Sequence, residues 1–459
     1  MPEAGVKSTS RGLARDLTVS HASSIVVGTI IGTGIFLVPR EMMQAVGSAR
    51  LVYLAWIVAG ALSFLGALTY AELGAMKPQA GGEYVYLRDG YGPLAGFVYA
   101  WSTFLISKPG SIATIATGMA RILGAFPAFG KLPQRAMASP LAVSYAQLLA
   151  IALIILVSFI NYIGVKRAGE FQLFFTLLKV ALVLTVIVVA FAYSGGRAAN
   201  YATIFEGAQG GMLGFMIAML AALWAYDGWN NLNMVAGEIR RPERSIPIAL
   251  IAGVGTVGAL YMLLNAALQY VMPASAIAAT GSPAADAMRI VLGAGAASIF
   301  TLVMGFQMLA TLNGAILSGA RVPFAAAHDG YFFPALARVH PRYRTPSAAI
   351  IFQAALAIVL VLAVEKFQAL FSITLFAEWL FYMLTTTTVF IFRRCEPDAS
   401  RPYRVWGYPV VPAVFILASA VLLLYTFADN VRNSLLGSLV MIAGIPVYYL
   451  FAGRRAATG

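Results

Sequence analysis

The chain has 459 residues, of which 60% are hydrophobic and 11% charged, whereas an ordinary soluble domain carries about a quarter charged residues. That composition excludes a soluble fold, because apolar runs such as Leu51 to Glu72, Leu141 to Ile160, Val180 to Tyr193 and Val410 to Thr426 recur along the whole length. A formal charge of +13 would point to nucleic acid in a soluble protein; here it reads as loop charge that sets membrane topology, and no nucleic-acid partner is expected.

A bilayer core of roughly 30 Å needs about 20 residues of helix. Backbone in lipid must satisfy its hydrogen bonds internally, so only helices or a closed barrel serve, and the long unbroken runs exclude alternating barrel strands. The tail 1-19 is polar, carries Lys7, Arg11 and Arg15, and lacks the apolar core and cleavage site of a removable signal peptide. Twelve membrane helices are expected, over 20-43, 50-76, 91-124, 140-164, 167-195, 211-237, 245-272, 288-326, 346-364, 367-392, 407-427 and 433-452, followed by a short tail 453-459. With the N-terminus inside, nineteen of the 31 Lys and Arg residues fall in cytoplasmic segments, eight outside, and four within helices, namely Lys108, Lys179, Arg289 and Arg321. This bias puts both termini in the cytoplasm.

The first expected helix contains Gly28-Thr29-Ile30-Ile31-Gly32-Thr33-Gly34-Ile35-Phe36, and the sixth contains Trp224-Ala225-Tyr226-Asp227-Gly228-Trp229-Asn230-Asn231. One glycine-rich helix is unremarkable, since small residues also serve close helix packing. Two interruptions five helices apart are the mark of an inverted-repeat transporter. The fold class is therefore an all-α membrane protein with a 5+5 inverted repeat: helices 1 to 5 over 20-195, helices 6 to 10 over 211-392, broken helices 1 and 6, and two additional helices over 407-452.

Unwound helix supplies both donors and acceptors at a depth where charged groups are costly to desolvate. In the first helix, glycines at 28, 32 and 34 relax the backbone. Amides near Thr33 and Gly34 then open a half-helix whose positive end suits a carboxylate. Freed carbonyls at Ile30 and from Trp224 through Ala225 to Asp227 suit an ammonium. Nothing in this chemistry calls for a metal or cofactor.

Five segments in order carry a resemblance: GTIIGTGIF, YAELGAMKPQAGGEY, WAYDGWNNLN followed by EIRRPERSIPIAL, LNGAILSGARVPFAAAHDG, and HPRYRTP. They resemble the L-type amino-acid transporters and their bacterial relatives in the amino acid-polyamine-organocation superfamily, over nearly the whole chain. The resemblance implies a secondary transporter, not an enzyme, working by alternating access in an inner (plasma) membrane. It also implies recognition of an amino acid's amino and carboxyl groups by helices 1 and 6, with Trp224 as an aromatic gate. Lys179, inside the apolar run FFTLLKVALVL, is similar in position to the family's helix-5 lysine. On that reading it fills the space of a sodium ion, tethering carbonyls of helix 1, around Gly28, to helix 8. The plainer reading is an ammonium that snorkels to the membrane edge.

Asp227 is either a cap for the second half of helix 6, a carboxylate beside the ammonium site, or one that takes up a proton during transport. Lys108 and Glu378 are read as partners of each other or of Asp227. Asn313 and Ser318 are assigned to the Lys179 network rather than to ordinary interhelical bonds, and Asn230 is either a pocket residue or a helix cap. Cys395 is the only cysteine. The segment Gly124 to Pro140 has none, whereas heteromeric animal members carry one there that joins a heavy subunit, so no disulfide-linked partner is expected.

Overall fold

The computed structural model describes residues 12-124, 143-363 and 367-458. The first expected span is two helices, α1 (Val19–Ile30) and α2 (Gly34–Val46), parted by the non-helical residues 31-33. Then come α3 (Ala49–Met76), α4 (Glu83–Tyr91), α5 (Pro93–Ser102), a π-helical segment Thr103–Ser107, α6 (Lys108–Gly124), α7 (Tyr145–Tyr162) and α8 (Val165–Phe191). The second break lies between α9 (Gly211–Tyr226) and the single turn α10 (Asn231–Met234). The chain continues through α11 (Pro242–Val271), α12 (Ala274–Ala279), α13 (Pro283–Leu292), α14 (Ala294–Gly319), α15 (Arg321–His328), α16 (Ser347–Ala363), α17 (Phe367–Cys395), α18 (Val410–Asp429) and α19 (Val431–Thr458). Among the described residues the only β pairing is two isolated bridges, Leu17 with Ile239 and Ser48 with Ile204.

Local chemistry sets several boundaries. Gly47 ends α2 at φ +71°, and a Cβ there would lie 2.7 Å from the Phe205 carbonyl oxygen, so only glycine makes this turn without strain. The next residue, Ser48, accepts the Leu51 amide and starts α3. A Ser144–Gln147 capping box starts α7.

The structure departs from the expected spans in three places. The third helix, expected unbroken over 91-124, is interrupted by the π segment immediately before Pro109, whose ring lacks an N–H and clashes with the carbonyl one turn back, so the turn widens. The eighth, expected over 288-326, is split at Gly293 (φ +87°) and again at Ala320. Arg289 therefore sits not in a spanning helix but on α13, largely exposed and paired with Asp286 at 2.8 Å. The last helix runs on to Thr458 rather than ending at 452. The expected start of the fourth helix at 140, the end of the ninth at 364, and the cysteine-free stretch after Gly124 lie outside the described residues.

Among the described residues nine segments are long and apolar enough to cross a membrane, and Ser347–Ala363 is an apolar helix of 17 residues. On α8, Phe174, Leu177 and Val188 are 60 to 63% exposed while Lys179 on the same helix is fully buried. An apolar outside around a polar inside is what a bilayer solvent requires. α1 packs on α8, α11 and α14, and α2 on α9, so both broken spans lie inside the bundle.

Candidate functional site

The two breaks face each other. Gly228, at φ +108°, is the second position where only glycine fits, because a Cβ would lie 3.2 Å from the backbone of Thr29. The Thr29 hydroxyl lies 2.6 Å from the Ile25 carbonyl in its own helix and 2.9 Å from that of Gly228, which ties the first break to the second. The Tyr261 hydroxyl on α11 donates toward the carbonyls of Ile30 (3.0 Å) and Ala225 (2.8 Å). Two of the carbonyls expected to receive an ammonium, those of Ile30 and Ala225, thus already share one donor, and each keeps a second lone pair, while the Trp224 carbonyl accepts the Asp227 amide at 3.2 Å.

Between the breaks is a cavity of about 410 Å³. Of the expected binding residues, Ile30, Gly32, Thr33, Gly34, Trp224, Ala225, Asp227 and Asn230 all line it, together with Lys108 and Glu378. It reaches the exposed Glu41, about two turns along α2 from the break, and meets buried Lys108 and Asn231 at its floor. Thr29, Glu41, Ser111, Thr114, Asn231 and Thr311 also line it, and none was singled out from sequence. Each is a common polar residue in a helix, without a spacing signal.

Lys179 is fully buried away from the cavity lining. Its ammonium donates to the Gly28 carbonyl at 2.7 Å and to the Thr311 hydroxyl at 2.8 Å, bridging α1 and α14. The snorkelling alternative does not match this geometry. Asn313 and Ser318 do not join that network. Asn313 bonds the Ala168 carbonyl, Gln172 and Asn161, and Ser318 donates to Asn231 at 2.8 Å. The reason is helical geometry: Asn313 is turned about 200° from Thr311, and Ser318 lies about 10 Å further along α14.

Asp227 does not cap α10. It ends α9, and its carboxylate accepts the Tyr382 hydroxyl at 2.8 Å, while the cap position of α10 is Asn230, without a side-chain capping bond. Lys108 bonds neither Asp227 nor Glu378 but the side-chain carbonyl of Asn231. Asn230 donates to the Glu83 carboxylate at 2.6 Å. Burial raises the Glu83 carboxyl above its ordinary value, and the Asn230 bond opposes that shift. Among the described residues no group of three or more His, Cys, Asp or Glu is placed to hold a metal.

On the N-terminal face, residues outside the cavity lining are tied to one another. Leu17 and residues 238-240 exchange two backbone hydrogen bonds, of 3.0 and 2.8 Å, and Arg240 pairs with Asp16. Beneath them Arg321 and Glu238 form a bidentate pair at 2.7 and 3.1 Å, both side chains fully buried.

Comparison with known proteins agrees with this arrangement. An amino acid permease family model matches residues 17–451. The chain is 32% identical over 451 residues to the human b(0,+)-type amino acid transporter 1, covering 97% of this chain and 89% of that protein. It is 31% identical over 449 residues to the serine/threonine exchanger SteT of Bacillus subtilis (strain 168), covering 97% and 99%. It is 30% identical over 455 residues to the large neutral amino acids transporter small subunit 2 of Rattus norvegicus, covering 98% and 83%. The chain thus belongs to the amino acid permease family within the amino acid-polyamine-organocation superfamily, on its L-type side, and is a multi-pass membrane transporter rather than an enzyme.

Proposed function

We propose that this chain is a sodium-independent exchanger or facilitator of neutral L-amino acids. It works by alternating access through twelve helices arranged as a 5+5 inverted repeat, with both termini in the cytoplasm of an inner membrane. The two broken spans bordering one cavity support the repeat and the site, and the relatives named above support amino-acid exchange. In this reading the carboxylate lies at the start of α2, where unpaired amides and the positive helix end favour it, and the ammonium lies against the carbonyls of α1 and α9. The N-terminal face is sealed in this state and the cavity runs toward Glu41, which fits a conformation open away from the cytoplasm.

Sodium independence rests on one observation, the Lys179 ammonium bonded to the Gly28 carbonyl beside the first break. A fixed cation there supplies the charge a metal ion would otherwise bring, and repels one. Uptake into proteoliposomes is expected to be unchanged when sodium is replaced by choline; a strong sodium requirement would sink this reading. A second reading, proton-coupled uptake, is favoured by one feature, the carboxyls of Asp227 and Glu378 both lining the cavity. No disulfide-linked heavy subunit is proposed, since the only cysteine is Cys395, which is exposed at the end of α17.

A further inference from the structure

At the floor of the cavity lies the single turn α10, with two asparagines of its own and a third, Asn230, at its cap position, each held by a different neighbour. Asn230 donates to Glu83 at 2.6 Å. Asn233 donates to the Tyr70 carbonyl at 2.9 Å and the Tyr86 hydroxyl at 3.0 Å. Asn231 accepts from Ser318 at 2.8 Å and from the Lys108 ammonium. All three asparagines are buried, so α10 cannot swing away from the bundle without breaking these contacts or carrying its partners along.

Only one of the three clamps contains a charged side chain that lines the cavity. Lys108 is 7% exposed, and that exposure faces the site, whereas Glu83, Tyr70 and Tyr86 are outside the lining. Its stem is pressed against Gly319, where a Cβ would lie 2.9 Å from the Lys108 Cβ and Cγ, which leaves the ammonium as the part free to move. A charged hydrogen bond is roughly twice as strong as a neutral one. When the ammonium turns to an anionic group in the cavity, Asn231 keeps only the neutral Ser318 bond.

We propose that Lys108 is the positioning residue through which occupancy of the cavity controls release of α10, with its bond to Asn231 as the contact that breaks. This rests on the transporter reading and deepens it. A ligand shifts a conformational equilibrium only by its differential affinity for the two states, and Lys108 supplies that difference: its ammonium is committed to Asn231 in the sealed state and, in the released one, shares the substrate carboxylate with the amides at the start of α2, which line the same cavity. Release exposes the segment beneath α10 to the N-terminal face.

The single cysteine makes this testable in the full chain. In a Cys395→Ser background, Met234→Cys places a thiol at a position that is 1% exposed and covered by the Gly81 amide bonded to its carbonyl at 2.9 Å. Labelling by a membrane-impermeant maleimide from the N-terminal face is measured with and without a mixture of the common L-amino acids other than cysteine. Losing one charge-assisted hydrogen bond corresponds to a change of about tenfold. The mixture is expected to raise labelling by about that factor in the reporter protein, Lys108→Gln to abolish the rise, and Lys108→Arg to retain it. Asn231→Ala is expected to raise labelling without amino acid. Ser318→Ala, which deletes one hydroxyl, does the same more weakly and replaces Asn231→Ala if that variant does not fold. A Lys108→Gln protein that keeps the full rise, or an Asn231→Ala or Ser318→Ala protein that labels at the unliganded rate, overturns the proposal. An unsubstituted protein that exchanges no amino acid in proteoliposomes instead refutes the exchanger reading; a reporter that exchanges while labelling stays constant refutes only the role of Lys108.

Discussion

Gly28 and Gly32 belong to one motif and meet opposite surroundings. A Cβ on Gly28 would lie 2.2 Å from the Thr176 hydroxyl and 2.4 Å from the Gln172 amide, whereas a Cβ on Gly32 meets nothing nearer than 4.0 Å. Gly28→Ala is therefore expected to destabilise the fold by about 1–3 kcal/mol through overpacking, read as a lowered thermal midpoint in detergent. Gly32→Ala is expected to leave that midpoint in place while its methyl enters the cavity and raises the apparent KM for uptake; the reverse pattern would contradict the assignment of the cavity as the site. Trp224 lines the same cavity. If its bulk acts as a size filter that favours small substrates such as alanine, serine or threonine, Trp224→Ala should improve competition by large aromatic amino acids, and no improvement would argue against the filter. The sequence alone exposed these residues because the glycines and the tryptophan sit in a motif. It did not expose Tyr261 or Asn231, whose partners come from elements tens to hundreds of residues away, and it misplaced Asn313 and Ser318 because interhelical register is not written in either helix alone.

At the scale of elements, apolar run length made the long helices legible, and a glycine cluster in the first helix with the Asp227-Gly228 interruption in the sixth made both breaks legible. What stayed hidden was irregularity inside a span. The π segment before Pro109 and the split at Gly293 are changes in backbone geometry, and hydropathy reports burial in lipid rather than hydrogen-bond pattern. Arg321 was counted as a helix charge with no partner in view; the fold pairs it with Glu238, joining α15 to the segment after α10. Because both side chains are fully buried, removing one leaves an uncompensated charge. Arg321→Met is expected to destabilise by about 3–5 kcal/mol, and the double change Arg321→Met with Glu238→Gln by distinctly less. A thermal-unfolding cycle in which the double variant is as damaged as the sum of the singles would show that the pair does not act as a unit.

At the scale of the whole molecule, the cavity reaches Glu41, and on the N-terminal face α10, the Arg321–Glu238 pair and the Leu17 bridge hold the chain together, the arrangement proposed above as the sealed state. Exchange follows if α10 releases only when the cavity is filled, because an empty carrier then remains sealed and returns only with a second substrate. The most direct test is uptake of labelled amino acids into sodium-free proteoliposomes at equal pH, with and without unlabelled amino acid inside. Uptake is expected to depend on internal amino acid. Uptake that is absent until the outside is acidified, whatever the internal contents, would contradict it and make Asp227 and Glu378 the first residues to neutralise.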